Sequence, residues 1–310
     1  ISITGNPASG SAFPVGTTSV SVKAQSSDGQ TSWCTFSVTV TYTGGSSTTA
    51  ASTSSSAVGP QSTITCPAGA VNIFPGASIQ NAVNSYAGNT TFCLRSGVFY
   101  LNSAITPKTG NIFVGEYGAV LDGSSWSTSD DTQGAFRAHN QDIDYVTIRN
   151  LVIRNMPKSG IHTYYYMSDH WTIEYNEIAS NKIGIEFSPN FTIRNNYIHH
   201  NVGNASSSNP AERGGGYQGF RSDNTTFDSN EIAYNGPEQK VGLSANVSFV
   251  NNFVHHNIRD GIWYDTNSNA GAVIDANRVE DNGRIGISFE SSVGVTISNN
   301  TVRRSAGDGI

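Results

Sequence analysis

The sequence predicts an all-β chain, most of it a solenoid of short strands. One phrase recurs from Val146 onward: hydrophobic-Thr/Ser-hydrophobic-x-x-Asn, a hydrophobic pair, a polar turn, then Gly-Ile. It reads plainly as WTIEYNEIASN (171–181), FTIRNNYIHHN (191–201), TTFDSNEIAYN (225–235), VSFVNNFVHHN (247–257), AVIDANRVEDN (272–282) and VTISNNTVRR (295–304). The central hydrophobics Ile148, Ile173, Ile193, Phe227, Phe249, Ile274 and Ile297 lie 25, 20, 34, 22, 25 and 23 residues apart, a solenoid period. Ser, Thr, Asn and Gly are abundant and Lys is scarce, which suits strands and turns more than helices.

Bulk properties narrow the function. Only 13% of residues are charged and the net charge is −6, which argues against nucleic acid as the main partner. No apolar run approaches the roughly 18 residues of a membrane span. The chain opens inside a strand-like ISIT and stops at Gly309-Ile310, where another repeat should begin. We read it as a fragment, so a missing leader carries no information about location.

Residues 1–42 alternate hydrophobic and polar, SVSVKA and CTFSVTVTY about a turn at Ser27-Asp28-Gly29, the pattern of an antiparallel hairpin with one buried face. The string Phe13-Pro14-Val15-Gly16-Thr17-Thr18, with Val20, Val22, Asp28-Gly29, Cys34, Phe36, Val38 and Val40, resembles the C-terminal part of a hyalin repeat (HYR) domain. That resemblance implies a partial immunoglobulin-like β-sandwich of an extracellular protein. Where the family has the partner of Cys34, this chain has Val22, so a free Cys34 is expected. Residues 43–63 form a Gly/Ser/Thr linker expected to be flexible coil.

The solenoid domain is expected over 64–310. Its entrance carries a short amphipathic helix, Ser78-Ile79-Gln80-Asn81-Ala82-Val83, suited to covering the first coil. Strands follow in TTFCLRSGVFYL, IFVGEYGAVLDG and AFRAHNQDIDYVTI. Cys66 and Cys93 flank this entrance, and a staple between them would indicate an oxidising compartment. Aligned repeats stack Asn176, Asn196, Asn230, Asn252, Asn277 and Asn300 in one column and Asn181, Asn201, Asn235, Asn257 and Asn282 in another. Stacked amides can hydrogen-bond along the axis, and Asn tolerates the left-handed backbone of a sharp turn.

These columns resemble the right-handed parallel β-helix of the pectin-lyase-like superfamily over 64–310, a three-sheet solenoid. The resemblance implies that the Gly-Ile strand forms the floor of a substrate cleft. It implies no single activity, because lyases, hydrolases, epimerases and binding proteins share the fold.

The Gly-Ile column is read as Gly160-Ile161, Gly184-Ile185, Gly219-Phe220, Gly242-Leu243, Gly261-Ile262, Gly286-Ile287 and Gly309-Ile310. Alternation then turns His162, Glu186, Arg221, Ser244, Trp263 and Ser288 outward, with Tyr164, Ser188, Asp223, Asn246, Asp265 and Glu290 two residues on. Asp265 and Glu290 on adjacent rungs would sit near the roughly 5–5.5 Å that retaining glycosidases use. Such a pair would raise one pKa or attract a cation. Glu186 and Arg221 are expected to be neighbours, with Asp223 on the arginine's strand. Lys240 precedes the next such strand. Trp263, Tyr264 and Tyr164 offer aromatic surface for sugar rings.

The 34-residue repeat inserts GNASSSNPAERGGGYQG (203–219), a loop expected to wall the groove with Glu212, Arg213 and Tyr217. A smaller insertion, NGPEQKVG (235–242), places Glu238 and Lys240 beside it. The Asn-Thr-Asp and Gly-His-Gly motifs of polygalacturonases are missing, as is the calcium-binding Asp cluster of pectate lyases. The sequence supports a secreted or cell-surface enzyme acting on a polysaccharide, an acidic one by preference. Its candidate catalytic residues are Asp265, Glu290, Arg221, Glu186 and His162. Trp263, Tyr264, Tyr164, Asp223, Lys240 and Tyr217 would bind substrate. Arg221, Lys240 or a bound Ca²⁺ would neutralise a uronate carboxylate, while His162 or a tyrosinate takes the C5 proton. The metal ligands are not assignable from sequence. The alternative is a non-catalytic glycan-binding or adhesive module.

Overall fold

Each repeat folds into one coil of three short parallel strands, and the coils stack into three sheets. The computed structural model describes residues 2–6, 16–40, 57–128, 130, 132–163, 167–208, 213–266 and 271–310. The chain forms two compact units, Ile1–Ser54 and Ser55–Ile310.

In the first unit Ser2–Asn6, Gly16–Gln25 and Thr31–Val40 pair in that order as one antiparallel sheet. The turn between the long strands is closed by Asp28, which accepts from the Ser26 hydroxyl and from the Gln30 N–H, and by Gly29 at φ +87°. Val22 stands opposite Cys34, which is free and exposed. The expected buried face is not closed: Val20 is the one buried hydrophobic among this unit's described residues, and Ile3, Trp33 and Phe36 are exposed.

The second unit is a parallel β-helix with sheets of ten, nine and seven strands. From Ile112 to Glu290 each coil visits the first, second and third sheet in turn, as in Thr172–Glu174, Glu177–Ala179 and Ile183–Phe187. Helix Ile79–Ser85 starts at an Ser78 cap, whose hydroxyl accepts from the Asn81 N–H, and buries Ile79 and Val83 in the core. Cys66 and Cys93 are joined by a disulfide. The central hydrophobics line the interior, and the Phe227 and Phe249 rings stack at 4.5 Å.

The two asparagine columns are continuous hydrogen-bond ladders. Asn196 Oδ1 accepts from both the backbone N (2.9 Å) and Nδ2 (3.1 Å) of Asn176, while its own Nδ2 donates to the Ile173 carbonyl at 2.8 Å. Asn181, Asn201 and Asn235 repeat the scheme one turn on. Leu151 and Met156 open the ladders with backbone N–H groups alone. One expectation is corrected. The left-handed residue precedes each ladder asparagine, at Tyr175, Asn195, Ser229, Asn251, Ala276 and Asn299. The ladder residues from Asn176 to Asn282 are buried, and their amides replace the backbone pairing that the turn interrupts.

The linker expectation is corrected at its end. Within 57–65 the chain lies against the coils: the Gly59 N–H donates to the Asn195 carbonyl at 2.9 Å and the Gln61 N–H to Asn150 Oδ1 at 2.6 Å. The Gly column has a steric cause. A Cβ on Gly160 would meet the Gly184 carbonyl at 2.6 Å, and one on Gly184 would meet that of Gly216 at 2.3 Å.

Candidate functional site

Strand register rebuilds the floor. Arg137, His162, Glu186, Gln218 and Lys240 are successive partners along the third sheet, and Val241 opposite Tyr264 sets Lys240 beside Trp263, itself opposite Ser288. These side chains point away from the interior, because Ile161, Ile185 and Tyr217 between them are core. Six rung steps of ~4.8 Å make a floor ~29 Å long.

Gly216-Tyr217, not Gly219-Phe220, occupies the column position, so the sequence alignment slipped by three residues there. Gly219 instead faces Phe187, whose ring would lie 2.2 Å from a Cβ at that position. In the following coil Gln239, not Leu243, fills the inward slot, fully buried, with Nε2 donating to the Asp260 and Gly261 carbonyls.

The slip relocates several candidates. Arg221 is not beside Glu186; it takes a left-handed turn (φ +54°) after the floor strand, exposed, 5.9 Å from the Phe220 ring. Asp223 is off the strand and accepts from the Ala245 N–H at 2.8 Å. Tyr217 is core rather than groove wall, and burial raises its pKa far above the usual phenol value. Tyr264 is likewise fully buried, its hydroxyl donating to the Val247 carbonyl at 2.7 Å, its pKa raised by burial. Neither phenol can serve as a tyrosinate base or a sugar platform. Tyr164 and Glu212 lie outside the described residues. Arg213 is tied to buried Glu238 at 3.0 Å.

Two clusters remain on the floor. At one end Glu186 Oε2 accepts from the Ser159 hydroxyl and pairs with His162 Nδ1, while His162 Nε2 lies 2.9 Å from His139 Nδ1. His162 and Glu186 are buried, and His139 is half-buried. Burial first, then the neighbouring His162 and Arg137 charges, holds His139 below the usual 6.5. This is a carboxylate–imidazole–imidazole chain with Arg137 on the next rung. His139 escaped the sequence reading because Gly134–Arg137 carries Phe136, not Gly-Ile, in the column; the alternation of Ala-Phe-Arg-Ala-His, which puts Arg137 and His139 on one face, could have shown it.

At the other end Asp265 and Glu290 are register partners, as expected. Asp265 Oδ2 lies 3.2 Å from Lys240 Nζ, and Glu290 Oε2 accepts from Trp263 Nε1 at 3.2 Å. Lys240, Arg259 and Arg284 surround the Trp263 ring at 5.0, 4.5 and 5.6 Å. Arg284 is held by the buried Asp260 through bonds of 2.7 and 2.5 Å. A hollow of about 330 Å³ opens here, lined by Arg284, Ser288, Phe289, Glu290 and Asp308. A separate hollow of about 270 Å³ lies between the helix and residues 98–105; no charged side chain lines it, so it offers little chemistry. Among the described residues no group of three or more His, Cys, Asp or Glu side chains converges to hold a metal ion.

Coil, ladders and floor define a right-handed parallel β-helix, and residues 207–310 match the family model described as right handed beta helix region. The chain belongs to the family described as periplasmic copper-binding protein (NosD), whose model matches residues 25–212, more than half of it. Residues 1–40 match the HYR domain model. Among solved structures, pectate lyase Pel9A is similar at 15% identity and a TM-score of 0.60, over 80% of this chain and 73% of that one. The periplasmic alginate epimerase AlgG is similar at 14% and 0.44, over 74% and 55%. The A-module of the Azotobacter vinelandii mannuronan C-5 epimerase AlgE4 is similar at 12% and 0.40, over 74% and 91%. Likeness at these identities shows the fold alone. No curated protein matches the chain, and no helix of the described residues is long and apolar enough to cross a membrane.

Proposed function

We propose that this chain binds a polysaccharide lengthwise along its third sheet and acts on it outside the cytoplasm, with an acidic, uronate-containing polymer as substrate. The observation that carries the reading is the Glu186–His162–His139 chain beside Arg137. Glu186 fixes His162 with its proton on Nδ1, and His162 Nε2 then accepts from His139 Nδ1. His139 has the character of a general base, neutral at pH 7 because its pKa is lowered. Arg137 pairs with the uronate carboxylate, His139 takes the C5 proton, and the positive charge is shared with His162 and Glu186. Expulsion of O4, protonated by solvent as it leaves, gives an unsaturated uronide; delivery of a solvent proton to the opposite face of C5 gives the epimer. The cations packed around the buried Trp263 ring hold sugar units about five rungs, or ~24 Å, from Arg137.

The disulfide and the HYR match support an extracytoplasmic setting. Copper figures in the family description, and calcium would suit a uronate. With no cluster of three donors among the described residues, no step of this chemistry is routed through a metal.

A second reading rests on Asp265 and Glu290, whose adjacent rungs suit hydrolysis by an acid and a nucleophile. One experiment separates the readings. The protein is incubated with uronate and neutral polysaccharides while ultraviolet absorbance, reducing ends and epimer content are followed. Unsaturated or epimerised uronate supports the proposal. New reducing ends abolished by Asp265→Asn support the second reading. Saturable binding without turnover of any polymer leaves a glycan-binding module.

A further inference from the structure

The turn that leads into the floor strands carries a second pattern, which the proton-transfer chemistry does not use. Lys158-Ser159-Gly160-Ile161, Lys182-Ile183-Gly184-Ile185, Arg259-Asp260-Gly261-Ile262 and Arg284-Ile285-Gly286-Ile287 each place a cation two residues before the column glycine. Backbone pairing makes these equivalent places: the Lys182 N–H donates to the Lys158 carbonyl at 2.9 Å, and the Arg284 N–H to the Arg259 carbonyl at 2.7 Å. In the two coils between, the place belongs to Gly214 and Gly236, where a Cβ would strike the Lys182 and Gly214 carbonyls. A neighbour supplies the cation there, Arg213 immediately before Gly214 and Lys240 on the floor itself. With Arg137 on the first strand, each of the seven strands of the third sheet has a cation on it or on the turn leading into it.

The carboxylates near these cations lie beneath them or across the floor. Glu238 holds Arg213 at 3.0 Å, and Asp260 holds Arg284 at 2.5 Å with Arg259 at 3.6 Å; both acids are buried, whereas the three arginine side chains are 28–37% exposed. A ligand therefore meets the guanidinium groups and not their counter-ions. Glu186, the one acid in the floor row itself, is buried against His162 and Ser159. Asp265 and Glu290 end their strands, on the opposite margin of the floor. Arg259 and Arg284 reach to 4.5 and 5.6 Å from the Trp263 ring, so side chains from the entry margin extend to the floor. The chain as a whole carries −6, which makes this margin a local reversal of sign.

We propose that this margin is a cationic rail that selects a polyuronate by charge and turns its carboxylates toward the side where the strands enter the floor. The inference rests on the reading of the third sheet as a polysaccharide floor, and it adds what fixes the charge and the orientation of the polymer. Rungs repeat at ~4.8 Å, so the rail runs ~29 Å over six steps. One pyranose unit lengthens a glycan by a similar distance, so a cation recurs at about every sugar. A single exposed ion pair contributes little, but a row of them acts together on one extended polyanion. Lys158 and Lys182 lead into the strands of His162 and Glu186, and so hold the sugars beside the reacting one. Arg259 and Arg284 do the same at the Trp263 end.

The test measures binding to the whole chain by calorimetry, with a uronate octasaccharide and with the same octasaccharide after its carboxyl groups are reduced to alcohols. The parent binds the uronate form about tenfold or more tightly than the reduced form. Raising NaCl from about 20 mM to about 500 mM removes most of that preference, because salt screens exposed charges. Lys158→Gln and Lys182→Gln each lower uronate affinity by about two- to fivefold, and the triple variant with Arg259→Gln lowers it by about tenfold or more. Circular dichroism confirms the fold of each variant, and affinity for the reduced octasaccharide stays at the parental value. A reduced octasaccharide bound as tightly as the uronate, a triple variant with parental uronate affinity, or no binding of either ligand overturns the proposal. The catalytic reading fails separately: charge-dependent binding with no unsaturated or epimerised uronate leaves the rail standing and removes the proton-transfer chemistry.

Discussion

Asn230→Ala probes what holds the coils in register. Asn230 is buried in the first ladder and takes part in four side-chain hydrogen bonds. Its Oδ1 accepts from the backbone N and Nδ2 of Asn196 at 2.9 and 3.0 Å; its Nδ2 donates to the Ile193 carbonyl at 2.8 Å and to Asn252 Oδ1 at 3.0 Å. Alanine removes all four and strands the Asn196 N–H in the interior. At about 1 kcal/mol per bond the loss is about 4 kcal/mol. Asn251, one residue before the next ladder position, is exposed and makes one long side-chain bond of 3.2 Å to Asp228. It takes φ +58°, so Asn251→Ala costs about 1–2 kcal/mol of backbone strain. Urea unfolding followed by tryptophan fluorescence, with midpoints compared at constant slope, measures both. A loss below about 1 kcal/mol for Asn230→Ala, or one equal to that of Asn251→Ala, refutes the ladder as a stabilising element.

Three further outcomes follow from the geometry. Reducing the Cys66–Cys93 disulfide, whose cysteines are 27 residues apart, should cost about 3.5 kcal/mol by loop entropy, read as a lower melting temperature in reductant. Trp263→Ala should weaken oligosaccharide binding at least tenfold in calorimetry while leaving the His162 end intact, since the ring is the centre on which Lys240, Arg259 and Arg284 pack. His139 and His200 both have pKa values below the unfolded 6.5, so the folded state binds fewer protons than the unfolded one. Their contribution to stability is present above pH 6.5 and is lost as pH falls through the folded values; melting temperatures measured from pH 8 to pH 5 should decline over that window.

The coil was legible because its hydrophobic and asparagine columns repeat for a physical reason that composition shows directly. Ile173, Ile193 and Phe227 must fill one interior line, and Asn176, Asn196 and Asn230 must bond to one another. The floor was legible only in part. GGGYQGF offers two Gly-aromatic pairs three residues apart, and nothing local chooses between Gly216-Tyr217 and Gly219-Phe220. The choice is made by the neighbouring coil, where Phe187 needs a residue without a side chain opposite. That odd-numbered slip moved Arg221 and Asp223 into the floor on paper and left out Gln218. Polar Gln239 in a core position hid the next strand, because its pairing to the Asp260 and Gly261 carbonyls is long-range. His139 was missed for a related reason: its partnership with His162 spans a whole coil. Asp265 and Glu290 were placed correctly because Gly261-Ile262 and Gly286-Ile287 carry the repeat without interruption.

The central claim is that the Glu186–His162–His139 chain works on a polysaccharide laid along the third sheet. Glu186→Gln tests it most directly, because the amide keeps the shape while removing the charge that would stabilise a protonated imidazole pair. On the uronate polymer that the parent protein turns over, the account predicts a fall in kcat of about 100-fold or more, with KM and oligosaccharide affinity within about threefold of the parent. The acid limb of the parent's kcat/KM profile should lie below pH 6.5, reporting His139, and should move in the variant. A Glu186→Gln protein with parental kcat and an unchanged pH profile would contradict the account and place the chemistry elsewhere on the floor.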